Sequence, residues 1–225
     1  SAIRSAANGS AVIERISKET GIDITIIDGQ REAEIIYSNH VAEELTDKYS
    51  YLYIEVGGGS TEVTLFSEQE RKFSKSFPIG TVRILHSLVP KSEWDALKKF
   101  LKIETAGYEP LVGIGTGGNI NCMFKLLRLK EGDPITVKKY RKLHEKISSY
   151  SLDERIRILG LRPDRADVIV PANDIFLSVM KWTGIGEIFV PKIGVADGII
   201  HLLYEKYRFQ RVIGNASRSD QADIE

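Results

Sequence analysis

The run Glu55-Val56-Gly57-Gly58-Gly59-Ser60-Thr61-Glu62 brings together groups that phosphate chemistry uses. Glycines let a backbone turn sharply and approach a ligand closely. Successive N–H groups in such a turn form a concave nest for an anion. Ser60 and Thr61 add hydroxyl donors, and Glu55 and Glu62 flank the nest with hard oxygen ligands. The combination suits a phosphate with a bound Mg²⁺, which takes few protein carboxylates and keeps its waters. The plainer reading is a glycine hairpin with two solvated glutamates, although a hairpin needs fewer glycines than this and no Ser-Thr after them.

A second glycine run, Gly113-Ile114-Gly115-Thr116-Gly117-Gly118, precedes a helical pattern. A glycine loop at a helix start offers free N–H groups and a favourable dipole to an anion. No Lys-Ser/Thr follows, so it is not a Walker loop. Gly113, Gly115 and Gly118 match dinucleotide spacing only weakly, because the next element reads as a helix and not as the second strand of a βαβ unit. A tight strand-to-helix turn is the competing reading. In Gln30-Arg31-Glu32-Ala33-Glu34, Glu32 falls on the first turn after a strand, where an acid can orient water as a general base. Acids also favour first turns for the dipole alone. The histidines His40, His86, His144 and His201 lack metal-ligand spacing. Cys122 reads as a buried helix residue, and Lys138, Lys139, Arg141, Lys142 and Lys146 read as a solvated face.

These groups need strands and helices to hold them. Residues 8–20 read as a helix stopped by Gly21, residues 22–27 as a strand, Asp28-Gly29 as a turn and residues 30–45 as a helix. Strands at 51–56, 62–66 and 70–78 form an antiparallel meander. The remainder alternates. A helix from Thr81 to Leu88 is stopped by Pro90, and another is capped by Ser92. A strand at 111–114 leads to helices at 119–129 and 136–150. A capping box at Ser151 to Glu154 opens a further helix. Residues 165–182 read as a helix with a break or start at Pro171, followed by a strand at 187–190 and a helix at 196–207. The residues after Phe209 read as a loose polar tail. This is α/β architecture, in which ligands bind at the carboxyl ends of strands.

Bulk composition is that of an ordinary soluble globular protein. The chain has 225 residues, 42% hydrophobic and 28% charged, with 31 basic residues cancelling 31 acidic ones. No net positive field argues for nucleic acid or membrane partners. No apolar run approaches a membrane span. One cysteine excludes an internal disulfide and fits a reducing cytoplasm.

Taken in order, the motifs resemble the exopolyphosphatase / guanosine pentaphosphate phosphohydrolase family. Residues 55–62 are similar to its Asp-Ile-Gly-Gly-Gly-Ser-Thr-Glu motif, Ile27 to Ala33 to its Ile-Ser-Gly-x-Glu-Glu-Ala segment, and Ser1 to Arg4 to Thr-Ser-Ala-x-Arg. Gly115 to Gly118 and Arg165 to Ile169 also resemble family stretches, and the likeness runs from residue 1 to about 205. The resemblance implies a ribonuclease H-like, actin-like ATPase fold with a mixed sheet, related to sugar kinases, actin and chaperone ATPases. It implies a second actin-like domain at 49–208, the remnant of a first at 1–48 and a tail at 209–225. It further implies Glu32 as the base that orients attacking water, and Glu55 and Glu62 as groups that hold or position Mg²⁺. Gly57, Gly58, Gly59, Ser60 and Thr61 would cradle the terminal phosphate, with Gly117 and Gly118 in a second loop and Arg4 neutralising substrate. The implied partners are polyphosphate or guanosine pentaphosphate or tetraphosphate.

The sequence also departs from the family. An Asp-x-Gly-Ser-Asn first phosphate loop is not in it, Arg31 replaces an acid, Glu55 replaces Asp, and Ala196 stands where Arg is frequent. Asn119 to Cys122 also leave the usual pattern after the glycines. The expectation is a chain that starts partway through the first domain, is inactive or weak alone, and either self-associates as a dimer through unpaired edges or is loosely ordered over residues 1–48. Two rivals stand beside the hydrolase: a polyphosphate or alarmone binder without turnover, and an ATPase of the actin or chaperone kind.

Overall fold

The computed structural model describes residues 3, 6–27, 31, 35, 48–191, 196, 198–200, 202–204 and 206–208. Helix α1 spans Gly9–Thr20 and ends at Gly21, whose φ of 70° closes the helix in the left-handed region. Residues 22–27 form no strand, contrary to the sequence expectation: Ile22 and Ile26 are 60% and 44% exposed. A β-branched run becomes a strand only with a ladder partner, and no described strand pairs with this one. The predicted turn at Asp28-Gly29 and most of the predicted helix at 30–45 lie outside the described residues; Arg31 and Ile35 are helical.

Strands β1 (Ser50–Val56), β2 (Thr61–Ser67) and β3 (Glu70–Phe77) form the predicted meander. Helix α2 (Thr81–Leu85) ends earlier than expected, and α3 (Lys91–Glu104) is entered through Pro90, not capped by Ser92. Proline cannot donate and has a fixed φ, so it suits the position before the first helical turn. Strand β4 (Leu111–Thr116), helix α4 (Gly118–Leu126), strand β5 (Ile135–Thr136) and helix α5 (Val137–Ser148) follow. Helix α6 (Leu152–Arg157) opens on the predicted capping box of Ser151 and Glu154. The helix expected over 165–182 is two, α7 (Pro163–Ala166) and α8 (Ile169–Thr183), with Pro171 in the first turn of α8. Strand β6 is Glu187–Phe189, and the described residues from Ala196 to Arg208 are helical.

The sheet order is β3-β2-β1-β4-β6-β5. Strands β1, β4 and β6 run parallel, while β2 and β5 are antiparallel to their neighbours. One face carries Leu52, Ile54, Val56, Val63 and Leu65 into the main core, where Phe176, Ile175 and Val179 of α8 are fully buried. Burying each such side chain is worth about 1.5–3 kcal/mol. The opposite face holds a small cluster of Tyr53, Phe66 and Ile114. The final helix meets the N-terminal part at Gly198, where a Cβ would lie 2.4 Å from Ile35 Cγ2.

Candidate phosphate site at the end of the sheet

The first glycine turn joins β1 to β2, and Gly57 N–H donates to Ser60 O at 2.9 Å to close it. Its carbonyls face α2. Thr81 N–H donates to Gly57 O at 3.0 Å, and Val82 and Arg83 N–H donate to Gly58 O at 2.9 and 3.3 Å. The loop thereby caps a helix that has no side-chain cap. In a trans peptide the C=O of one residue and the N–H of the next point in opposite directions. The N–H groups of Gly58 and Gly59 therefore point away from α2, in the orientation an anion nest requires.

Contacts behind the turn hold it in place. The backbone of Gly80 lies directly on it: a Cβ there would be 2.3 Å from Gly58 O and 2.4 Å from Gly59 C. Thr61, expected to offer its hydroxyl to substrate, is fully buried and donates to Ile79 O at 2.6 Å. Its side chain belongs to the frame of the loop. Ser60 is half-buried, and its Oγ donates to Glu62 Oε1 at 2.7 Å.

Strand register aligns the acids. Glu55 pairs with Glu62 across β1 and β2, with Thr116 across β1 and β4, and Glu62 pairs with Ser76 on β3. Directly paired residues share a face, so these four form a row at the end of the sheet that bears both glycine loops. Ser76 Oγ also donates to Glu62 Oε1, at 3.0 Å. Facing carboxylates repel in water, and a cation relieves that repulsion. Two carboxylates beside hydroxyls and an anion nest fit Mg²⁺, a hard cation that needs only one or two of them with waters and phosphate oxygens. Among the described residues no group of three His, Cys, Asp or Glu is placed to enclose a metal by itself.

The second glycine loop follows β4. Gly117 has φ 97° and ψ 168°, a region open essentially to glycine alone, and precedes α4 without a side-chain cap. Gly118 is glycine for another reason: the Arg165 guanidinium occupies the space, with Nη2 2.7 Å from where a Cβ would stand. Gly113 and Gly115 are packing glycines, since a Cβ on them would lie 2.8 Å from Ile188 and Ile120 respectively. The strand that follows α4 is the antiparallel edge strand β5 and not the parallel neighbour of a βαβ unit, so the run lacks the context of a dinucleotide motif.

Arg4 and Glu32 lie outside the described residues. Lys138, Lys139, Arg141, Lys142 and Lys146 are all exposed on α5, as a solvated face should be. Cys122 is half-buried; burial pushes its thiol pKa up, while the charges of Arg165 and Lys125 pull it back. The sequence reading missed Gly80 and Ser76, and it quoted Thr116 and Arg165 only as members of longer stretches, without a role. A glycine between a strand and a helix was a usable signal for Gly80.

A guanosine-5'-triphosphate,3'-diphosphate pyrophosphatase from Photobacterium profundum is 24% identical over 224 residues, which is 94% of this chain and 45% of that protein. The chain thus spans less than half the length of this curated relative. The crystal structure of an exopolyphosphatase from Cytophaga hutchinsonii matches with a TM-score of 0.77 at 24% identity, covering 92% of this chain and 73% of that one. The Aquifex aeolicus family member matches at 0.69 and 23%, covering 91% and 72%. These likenesses show the fold, a mixed α/β sheet domain. The family model itself matches from the first residue to residue 206, and the chain belongs to the Ppx/GppA phosphatase family.

Proposed function

We propose that the parent protein removes the terminal phosphate from inorganic polyphosphate or from guanosine pentaphosphate, with Mg²⁺ present. The observation that carries this reading is the outward aim of the Gly58 and Gly59 N–H groups beside the Glu55–Glu62 pair. Water attacks the terminal phosphorus, the bridging P–O bond breaks, and orthophosphate and a chain shorter by one phosphate leave. Glu32, in the role the family resemblance assigns it, orients that water and accepts its proton. Gly58 and Gly59 N–H groups and Ser60 Oγ stabilise charge on the phosphoryl oxygens. Glu55 and Glu62 would hold the Mg²⁺, which would neutralise phosphate charge when bound. Arg4 would contribute a further positive charge to the substrate.

Residues 1–48 and 49–208 are proposed as parts of two domains that close on the phosphates, with 209–225 as a tail. Glu32 is proposed as the base of that cleft and the first glycine turn as its phosphate-holding wall. A cytoplasmic location and a dimer belong to the same proposal. Ile200, Leu203, Tyr204 and Tyr207, all at least 60% exposed, favour self-association. No described helix is long and apolar enough to cross a membrane.

The test is phosphate release from polyphosphate and from guanosine pentaphosphate with Mg²⁺, by this chain and by one that also carries a first phosphate loop. Release by the longer chain that disappears in Glu32→Gln supports the reading. Substrate binding without release, unchanged by Glu32→Gln, favours a binder, a second reading motivated by Arg31 and Glu55 in place of family acids. Protection from heat unfolding by ATP, with neither activity, would point to an ATPase.

A further inference from the structure

Away from both glycine loops, helices α5 and α8 pack together and leave an open cavity of about 570 Å³ between them. It is lined by Arg141 from α5 and by Asp174, Leu177, Ser178 and Lys181 from α8. Cavities of this size hold small ligands. The two helices are locked together next to it. Tyr140 and Asn173 are fully buried, and Tyr140 Oη donates to Asn173 Oδ1 at 2.9 Å. Asn173 Nδ2 donates in turn to Met123 Sδ at 3.2 Å. One residue on, His144 Nε2 lies 2.9 Å from Asp174 Oδ1, with the imidazole 14% exposed and the carboxylate 52% exposed. The imidazole fixes one oxygen of Asp174 and leaves Oδ2 open to the cavity.

The other polar groups of the cavity are uncommitted. Arg141 and Lys181 are exposed and Ser178 is half-buried, and among the described residues none of the three side chains has a hydrogen bond or ion pair. Two free cations against one acid, itself engaged by His144, leave an excess of positive charge that draws an anion. Two cations and a hydroxyl that converge suit a phosphate, through charge-assisted hydrogen bonds. Asp174 requires the opposite: it accepts from a donor and repels a bare anion set beside it. Asp174 and Ser178 share one face of α8, a helical turn or about 5.4 Å apart. The ligand that meets both ends carries a phosphate at one and hydroxyl donors at the other, with a body that lies on the half-buried Leu177. A carboxylate that accepts from sugar hydroxyls is a recurring means of holding a ribose. Strand β6 runs parallel to β4 and α8 feeds its amino end, so Lys181 lies toward the end of the sheet opposite the glycine loops.

We infer that the groove between α5 and α8 is a second binding site, which takes a phosphorylated sugar, free or as part of a nucleotide. Arg141, Lys181 and Ser178 bind the phosphate, Asp174 accepts from the sugar hydroxyls, and Leu177 supports the ring. The inference goes beyond the hydrolysis proposed above and does not depend on it. None of the five residues belongs to the glycine loops, so either reading can fail alone.

The test is amide NMR and calorimetric titration of this chain with ribose 5-phosphate, adenosine and guanosine monophosphates, and orthophosphate at fixed salt. Wild type is compared with Arg141→Ala, Lys181→Ala and Asp174→Ala. Ribose 5-phosphate should shift the amides of Arg141 and of residues 174–181 saturably. Arg141→Ala and Lys181→Ala should each weaken it about tenfold, the scale of one lost charge-assisted hydrogen bond. Asp174→Ala should weaken ribose 5-phosphate to a similar degree and leave orthophosphate as tight or tighter, a split that a general loss of structure would not produce. Because that variant also removes the partner of His144, Asp174→Asn, which can keep the bond, is measured beside it and should lose part of the sugar-phosphate affinity. Tighter binding of either nucleoside monophosphate supports the site with a nucleotide as its ligand, and equal binding of all three supports it with the sugar phosphate as the recognised unit. The inference fails if no amide of α5 or α8 moves at high ligand, or if both folded cation variants bind like wild type. It also fails if orthophosphate binds as tightly as ribose 5-phosphate and Asp174→Ala changes neither, which marks a general anion patch. None of these results touches tripolyphosphate at Gly58 and Gly59, so each leaves the proposed function standing.

Discussion

The two glycine turns leave the same end of neighbouring strands, yet they are held by different means. The turn at 57–60 is fixed by backbone: three N–H groups of α2 take its carbonyls, and Gly80 lies against it with no side chain between. The turn at 117–118 is fixed by its own left-handed Gly117 and by a charged side chain from α7. A backbone brace cannot yield without moving the loop, whereas the end of an arginine can swing aside. The first turn is therefore the more rigidly held of the two.

Gly80→Ala should break this contrast most severely. Its Cβ meets only backbone, at 2.3–2.5 Å from Gly58 and Gly59. A stability loss of about 3 kcal/mol is expected on overpacking grounds, with loss of tripolyphosphate binding, both measurable by denaturant melts and calorimetry. Next comes Thr61→Val, which strips the hydroxyl from a fully buried site and leaves Ile79 O without that partner. Denaturant unfolding should show a loss of about 1–3 kcal/mol.

The second turn offers a sharper pair. Gly117→Ala forces a side chain into φ 97° and should cost about 1–3 kcal/mol in the same assay. Gly118→Ala meets only the movable end of Arg165, so the stability change should stay within about 1 kcal/mol while tripolyphosphate binding weakens. Equal stability losses at the two glycines would contradict this account of the second turn.

The smallest effect lies away from both turns. Ser151 donates to Glu154 from its backbone and its hydroxyl, and these bonds hold the Glu154 carboxyl below its ordinary value of 4.5. A depressed folded value means the stabilisation is full above 4.5 and lost as pH falls through the lower folded value. Ser151→Ala should lower Tm slightly at neutral pH, with the difference from wild type shrinking under acid conditions.

Much of the first turn was legible because its signal is local. Three glycines between two alternating runs specify a hairpin, and register then sets Glu55 against Glu62 without further information. The burial of Thr61 was not legible, because its partner Ile79 lies beyond the next strand. The packing of Arg165 on Gly118 was not legible, since that neighbour is joined to it only by the tertiary fold. Residues 22–27 failed in the opposite sense: their β-branched pattern is genuine, but propensity does not supply a pairing strand. The division of 165–182 into α7 and α8 was signalled by Pro171, which lies in the first turn of α8, although the break itself falls at Asp167 and Val168.

The most direct test of the central claim is an amide NMR titration of this chain with tripolyphosphate and Mg²⁺. The aim of Gly58 and Gly59 N–H predicts that these amides shift most, followed by those of Ser60 and the first turn of α4. Saturable binding that leaves Gly58 and Gly59 unmoved, with shifts confined to the exposed basic face of α5, would contradict it.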